Sequence, residues 1–215
     1  MIEIIQSTKE HNSDNYLSTI FNELDVKNIV ITDEFQTRKI WNYFNKKVKE
    51  EKCDVITVLD TTHLSTSTIK CKIIHPDKSF SSNNINNMSI VMRIDYKDFS
   101  ALFTGDLEKE GEQYLIAHYP EFLDCDVLKV CHHGSKTSSS IAFIKAVTPD
   151  FAFIPTSLKN RFHFPHKTTL GKFSFLGDYL FIAGKDGALQ IETDGENTHF
   201  KTYLSKEDFW INDLK

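Results

Sequence analysis

The residues best suited to chemistry sit at the ends of two apolar runs. Leu102-Phe103-Thr104-Gly105-Asp106 closes on a carboxylate, and Val130-Cys131-His132-His133-Gly134-Ser135-Lys136-Thr137-Ser138-Ser139 closes on a histidine pair. A carboxylate and imidazoles delivered at the tips of buried strands are the parts of a metal-dependent hydrolase, in which the ion turns a bound water into a nucleophile at neutral pH. Gly105 lets the backbone turn tightly, so Asp106 can point into a cleft. Asp106 has an equally local alternative as the cap of a helix starting at Leu107. The two roles are compatible, because one oxygen can cap while the other binds. Successive strand residues face opposite sides, so only one of His132 and His133 is expected to reach an ion unless the chain turns there. Ser135, Lys136 and the Ser/Thr run form a polar loop ahead of a helix, suited to phosphate or serving only as a capping loop. A third stretch, Asn160-Arg161-Phe162-His163-Phe164-Pro165-His166-Lys167, sets His163 and His166 around a stiffening proline.

Alternating elements must position these residues. Apolar spacing predicts helices over 14–24, 35–49, 107–119 and 141–147, the last capped from Ser138-Ser139-Ser140, and another after Pro165. Strands are expected at 3–6, 26–32, 55–59, 68–74, 89–96, 100–103, 126–131, 151–155, 179–183, 189–193 and 199–203. The turn-like Tyr96-Lys97-Asp98-Phe99 joins 89–96 and 100–103 as a hairpin. Phe173–Leu176 and Phe209-Trp210 read as core aromatics, and His63, His75, His118 and His199 as surface or turn residues. No linker or repeat interrupts the 215 residues, which predicts one α/β domain over 1–215.

Composition narrows the classes further. With 40% hydrophobic and 26% charged residues the chain is an ordinary globular protein, and its 17 Phe are expected to fill a core. The net charge of −5 argues against broad electrostatic wrapping of nucleic acid while leaving room for a local basic groove. Four separated cysteines without a C-x-x-C pair read as reduced thiols, and with no targeting segment at the first residues the expectation is a cytoplasmic protein. No apolar run approaches the ~20 residues that span a bilayer.

Taken together, Ser89–Ile94, Phe103-Thr104-Gly105-Asp106-Leu107-Glu108-Lys109-Glu110, Asp126–Val130 and His132-His133-Gly134-Ser135-Lys136-Thr137-Ser138 resemble the metallo-β-lactamase superfamily. The branch they are most similar to is the hydrolase domain of ComEC-type competence proteins. The resemblance runs over 26–166 and is strongest over 89–139. It implies an αββα sandwich with metal where the sheets meet, Asp106 as the bridging Asp of the T-G-D motif, and His132, before His133, as the last ligating histidine. The family's H-x-H-x-D-H is altered here to Glu10-His11-Asn12-Ser13-Asp14-Asn15, which keeps only the aspartate, Asp14. Its G-H-P-H is altered to His163-Phe164-Pro165-His166, with Phe164 in place of the first histidine. So few residues precede Glu10 that the N-terminal sheet is expected to be truncated unless another chain supplies it.

Two functions follow. One is a metal-dependent phosphodiesterase or nuclease with a reduced site: Asp14, Asp106 and His132 would hold one divalent ion, Zn²⁺ or, given the carboxylates, Mn²⁺ or Mg²⁺. His133 or His166 would act as general acid or orient phosphate, and Lys136 would hold it. Its substrate would be nucleic acid or a nucleotide. The other is a catalytically inactive module without metal. It would bind a protein partner, or a second copy of itself, at the exposed edge of the shortened sheet.

Overall fold

The computed structural model describes residues 26–58 and 60–212, and the architecture is that of those residues. A mixed α/β arrangement is present. Its centre is a seven-stranded sheet in the order of the chain: β3 (Thr62–His63), β4 (Lys70–His75), β5 (Val91–Tyr96), β6 (Phe99–Phe103), β7 (Val127–Lys129), β8 (Phe151–Ile154) and β9 (Leu180–Ile182). Pairing is antiparallel from β3 to β6 and parallel from β6 to β9. The expected hairpin is β5–β6, with Tyr96 opposite Phe99.

Strict alternation of side chains gives this sheet two apolar faces. Val91, Leu102, Leu128, Ala152 and Ile154 point to one side, where α2 (Lys109–His118), α3 (Ile141–Val147) and α4 (Lys167–Lys172) cover them with Leu115, Phe143, Ile144 and Leu170. Phe99, Ala101, Val127, Phe151 and Phe181 point to the other side. There they meet Phe200, Phe209 and Ile211 of a three-stranded antiparallel sheet, β10 (Leu189–Thr193), β11 (Asn197–Thr202) and β12 (Asp208–Asn212). Beside that sheet, Ile73, Ile90 and Met92 pack against Val30 and Val58 of a parallel pair, β1 (Asn28–Thr32) and β2 (Asp54–Val58). The helix between those two strands, α1 (Lys39–Glu51), lays Phe44 and Val48 on the outer face of β1 against Ile29 and Ile31. At this end the layers therefore run helix, sheet, sheet, helix.

Several elements differ from the sequence expectation. The helix expected over 35–49 breaks into a single turn, Asp33–Gln36, capped by Thr32, and α1. Strand β12 was not expected, although Phe209 and Ile211 facing inward with Trp210 63% exposed is strand alternation. Trp210 is therefore no core residue, and neither is Phe175 between buried Phe173 and Leu176. His75, read as a surface residue, is fully buried, with Nε2 2.6 Å from the Asn87 carbonyl. The helix and strand expected before residue 26 lie outside the described residues. No described helix is long and apolar enough to cross a membrane.

Candidate functional site

Parallel strands place their outgoing loops side by side, and the three chemical stretches are the loops leaving β6, β7 and β8. Crevices at the carboxyl ends of parallel strands are the usual ligand sites of α/β sheets.

The first loop is fixed by its own backbone. Gly105 takes φ 55°, and its carbonyl accepts from the Lys129 ammonium at 2.6 Å and from the His132 amide at 3.0 Å. Thr104 Oγ1 ties back to the Lys129 carbonyl, and the Asp106 amide donates to Ser89 Oγ. Burial pushes the Lys129 ammonium below its ordinary pKa, while the neighbouring Asp106 charge opposes that shift. Asp106 is 4% exposed and is not a helix cap. Helix α2 begins at Lys109, and Asn87 Oδ1 accepts from the amides of Glu108 and Gly111 instead.

The second loop turns where an ordinary strand end would run straight on. His132, His133 and Gly134 have φ of 44°, 51° and 79°, three left-handed residues in succession. Each non-glycine in that region costs roughly 1–2 kcal/mol, so the surroundings must hold it. Ser135 N bonds the His132 carbonyl and His166 N the Gly134 carbonyl. The turn brings both imidazoles to one crevice, their centroids 6.4 Å apart. Buried His132 places Nδ1 3.0 Å from Glu108 Oε1. His133, 40% exposed, places Nε2 3.3 Å from Asp106 Oδ1, and its Nδ1 lies 2.7 Å from the Pro155 carbonyl. A carbonyl only accepts, so Nδ1 carries the proton and Nε2 is the atom presented to Asp106.

The hydroxyls of Ser135, Thr137, Ser138 and Ser140 are consumed by the fold. Ser135 Oγ bonds Thr137, Ser138 Oγ bonds the carbonyls of Cys131 and Ser135, and Ser140 Oγ caps α3 at Phe143. Glu112, fully buried, accepts from the amides of Ser139 and Ser140. Burial pushes its carboxyl up, against those hydrogen bonds and the charge of Lys172. Lys136 stands exposed, with its backbone amide donating to His166 Nδ1 at 3.1 Å. In a neutral His166 the proton therefore sits on Nε2.

The third loop is pinned by Asn160, whose Oδ1 accepts from Phe162 and Phe164 amides and whose Nδ2 donates to the Phe164 carbonyl. Pro165 presses on Gly134, where any Cβ would lie 2.6 Å from Pro165 Cβ. That contact seats the Phe164 ring among the histidines: 5.4 Å from His132, 6.4 Å from His133 and 5.2 Å from His166, centroid to centroid.

Of the expected site residues, Asp106, His132, His133, His166 and the Lys136 backbone meet in this crevice. Asp14, with Glu10 and His11, lies outside the described residues. Glu108, Glu112 and Lys129 are participants that sequence reasoning passed over. The Asn-rich stretch was a usable signal for Glu108, because Asn84 and Asn86 both donate to its carboxylate. Glu112 gave no local signal, since its partners are 27 and 28 residues away.

A structural zinc needs about four donors, and a catalytic one three besides water. Among the described residues no three His, Cys, Asp or Glu side chains are placed to hold an ion. Asp106 Oδ1 and His133 Nε2 face each other at 3.3 Å, and the ring packed against His133 from the third loop, Phe164, is a hydrocarbon. By themselves the described residues do not fit a resident metal.

No family model matches the chain. The curated proteins it is similar to include the following three. It is 45% identical over 85 residues to ComE operon protein 3 of Bacillus subtilis, which is 40% of this chain and 11% of that protein. It is 35% identical over 105 residues to Competence protein ComA of Neisseria gonorrhoeae, 49% of this chain and 15% of the other. It is 39% identical over 85 residues to Recombination protein 2 of Haemophilus influenzae, 40% of this chain and 10% of the other. The matched part is thus a small fraction of each relative, and the ComEC-type relationship noted from the motifs agrees with these relatives.

Proposed function

We propose that this chain is a ComEC-related module of metallo-β-lactamase-like architecture, and that it serves as a binding or regulatory component without metal-dependent hydrolysis. The observation that carries this reading is Phe164. At the position where the resemblance has the first histidine of G-H-P-H, an aromatic ring packs against His132, His133 and His166. The serines and threonines that would meet a phosphate are spent instead on caps and turns. The helix–sheet–sheet–helix layering supports the architecture. Its partner would be another protein chain or a second copy, docking at an edge of the β1–β2 sheet, which is two-stranded among the described residues. The thiols of Cys53 and Cys125 donate to the carbonyls of Val26 and Val127, as reduced cysteines do, which fits a reducing, cytoplasmic setting.

One observation favours a second reading. The Pro155 carbonyl presets the His133 tautomer, and Nε2 faces Asp106, as in an oriented ligand. In that case Asp14 or a partner chain would complete a one-ion hydrolase around Asp106 with His133 or His132, and His166 and Lys136 would contact a nucleotide or nucleic-acid phosphate. Hydrolysis of a bis-aryl phosphodiester and of single-stranded DNA, measured with Mn²⁺, Mg²⁺ or Zn²⁺, separates the two. The module reading expects rates equal to those of an Asp106→Ala control. Turnover that Asp106→Ala abolishes would establish the second.

A further inference from the structure

We propose that the outer edge of β12 is a docking site for an extended, basic polypeptide segment, which joins the three-stranded sheet as a fourth strand. The site is separate from the β1–β2 edge, and it holds whether or not the crevice takes an ion. The packing of the two sheets makes it. Phe151 of β8 stacks on Phe200 of β11 at 4.0 Å, and Phe181 of β9 lies 6.3 Å from Phe209 of β12, centroid to centroid. Strand β11 therefore lies over β8, and β12 over β9. Among the described residues β9 and β12 are each paired on one side only. Both sheets thus end on the same side of the sandwich, and a groove of about 630 Å³ opens there, lined by Asp178, Tyr179, Lys185, Glu207 and Trp210 among others.

The two edges are not equally open. On β9 the Ile182 amide donates to Asp186 Oδ2 at 2.7 Å, so the chain covers that edge with its own carboxylate. On β12 the pairing pattern shows which groups are left over. The Thr202 amide donates to the Glu207 carbonyl, and bonded and non-bonded pairs alternate along an antiparallel ladder. Phe209 and Ile211 therefore exchange bonds with Phe200 and Thr198 of β11. The backbone groups of Asp208, Trp210 and Asn212 turn to the open side and meet no partner among the described residues. Proline and bulges, the usual guards of such an edge, are absent from 208–212, and exposed Trp210 stands at its centre. Charge selects the occupant. Lys185 is the one cation among the described residues lining the groove, and it lies 3.8 Å from Asp186. Asp178 and Glu207 are exposed, and neither has an ion-pair partner among the described residues. A strand with Lys or Arg at alternate positions satisfies the β12 backbone and these carboxylates together, and the Trp210 ring offers such a cation a face.

The test uses three labelled peptides with the full chain: Thr-Arg-Val-Lys-Val-Arg-Thr, the same peptide with Glu for each Arg and Lys, and the basic peptide N-methylated at its central amides. Binding is read by fluorescence anisotropy, and its place by amide exchange. The basic peptide should bind saturably and slow exchange at Asp208, Trp210 and Asn212. The methylated peptide should bind at least about tenfold more weakly, the worth of two lost hydrogen bonds. Asp178→Lys/Glu207→Lys, which alters exposed side chains only, should reverse the preference between basic and acidic peptides. Equal binding of the methylated peptide, protection that falls outside 208–212, or no saturable binding of the basic peptide overturns the proposal. So does a native dimer in sedimentation whose 208–212 amides are already protected without peptide, because the occupant is then a second copy.

Discussion

At the residue scale, the buried groups around the crevice do more structural work than their types suggest. Glu112 is the anchor of the Ser138–Ser140 segment, and its removal leaves two buried amides without an acceptor. Each such group costs ~1–3 kcal/mol, so Glu112→Ala should lose about 3 kcal/mol in urea unfolding at pH 7, and Glu112→Gln roughly half as much because it keeps one acceptor. His75 sets the acid limit. Burial lowers its pKa from 6.5 to about 4, the hydrogen bond to Asn87 opposing. Between those values the unfolded chain binds a proton that the folded chain refuses. Stability from this residue is therefore intact above pH 6.5 and falls as pH drops toward 4, by about 3 kcal/mol in total. Urea midpoints from pH 7 to 4 should show that decline, and His75→Gln should flatten it. Asp77 adds a loss of the same sign at lower pH. Burial pushes its carboxyl up, but hydrogen bonds from Ser79, Tyr119 and Tyr114 outweigh this and hold it below the ordinary value of 3.8.

At the element scale, the third loop is held by a contact that only glycine allows. Gly134→Ala combines a positive φ with a clash against Pro165, and should cost ~2–3 kcal/mol while loosening the 160–166 loop, visible as faster amide exchange there. The join between the two large sheets is aromatic. Phe200 is fully buried and stacks on Phe151 at 4.0 Å, so Phe200→Ala should cost roughly 3–5 kcal/mol in thermal or urea unfolding. Most of these elements are legible in the amino-acid string, because period-2 alternation and long apolar stripes survive in it. Helix α3, its Ser140 cap and strand β10 fall at the expected residues. What alternation does not carry is a change of backbone region. Nothing in Cys131-His132-His133-Gly134 announces three left-handed residues, and that turn decides that both imidazoles share a crevice. His75 was illegible for a related reason: a histidine before a proline reads as a turn, and only the strand β5 alongside shows that it is inside.

At the scale of the whole molecule, a mixed sheet stacks three loops at one edge and so gathers residues more than 50 positions apart, from Asp106 to His166, into a single crevice. That convergence is inherited by any chain with this topology, whether or not it keeps the chemistry. Among the described residues no three donors are placed to hold an ion and a phenyl ring packs against the histidines, which is what the proposed module rests on. Metal content is the most direct measurement. The native chain, purified without chelators and then dialysed against Zn²⁺ or Mn²⁺, should carry well under one ion per molecule, and Asp106→Ala should carry the same amount. About one ion per chain that disappears in Asp106→Ala would contradict the module and restore the hydrolase.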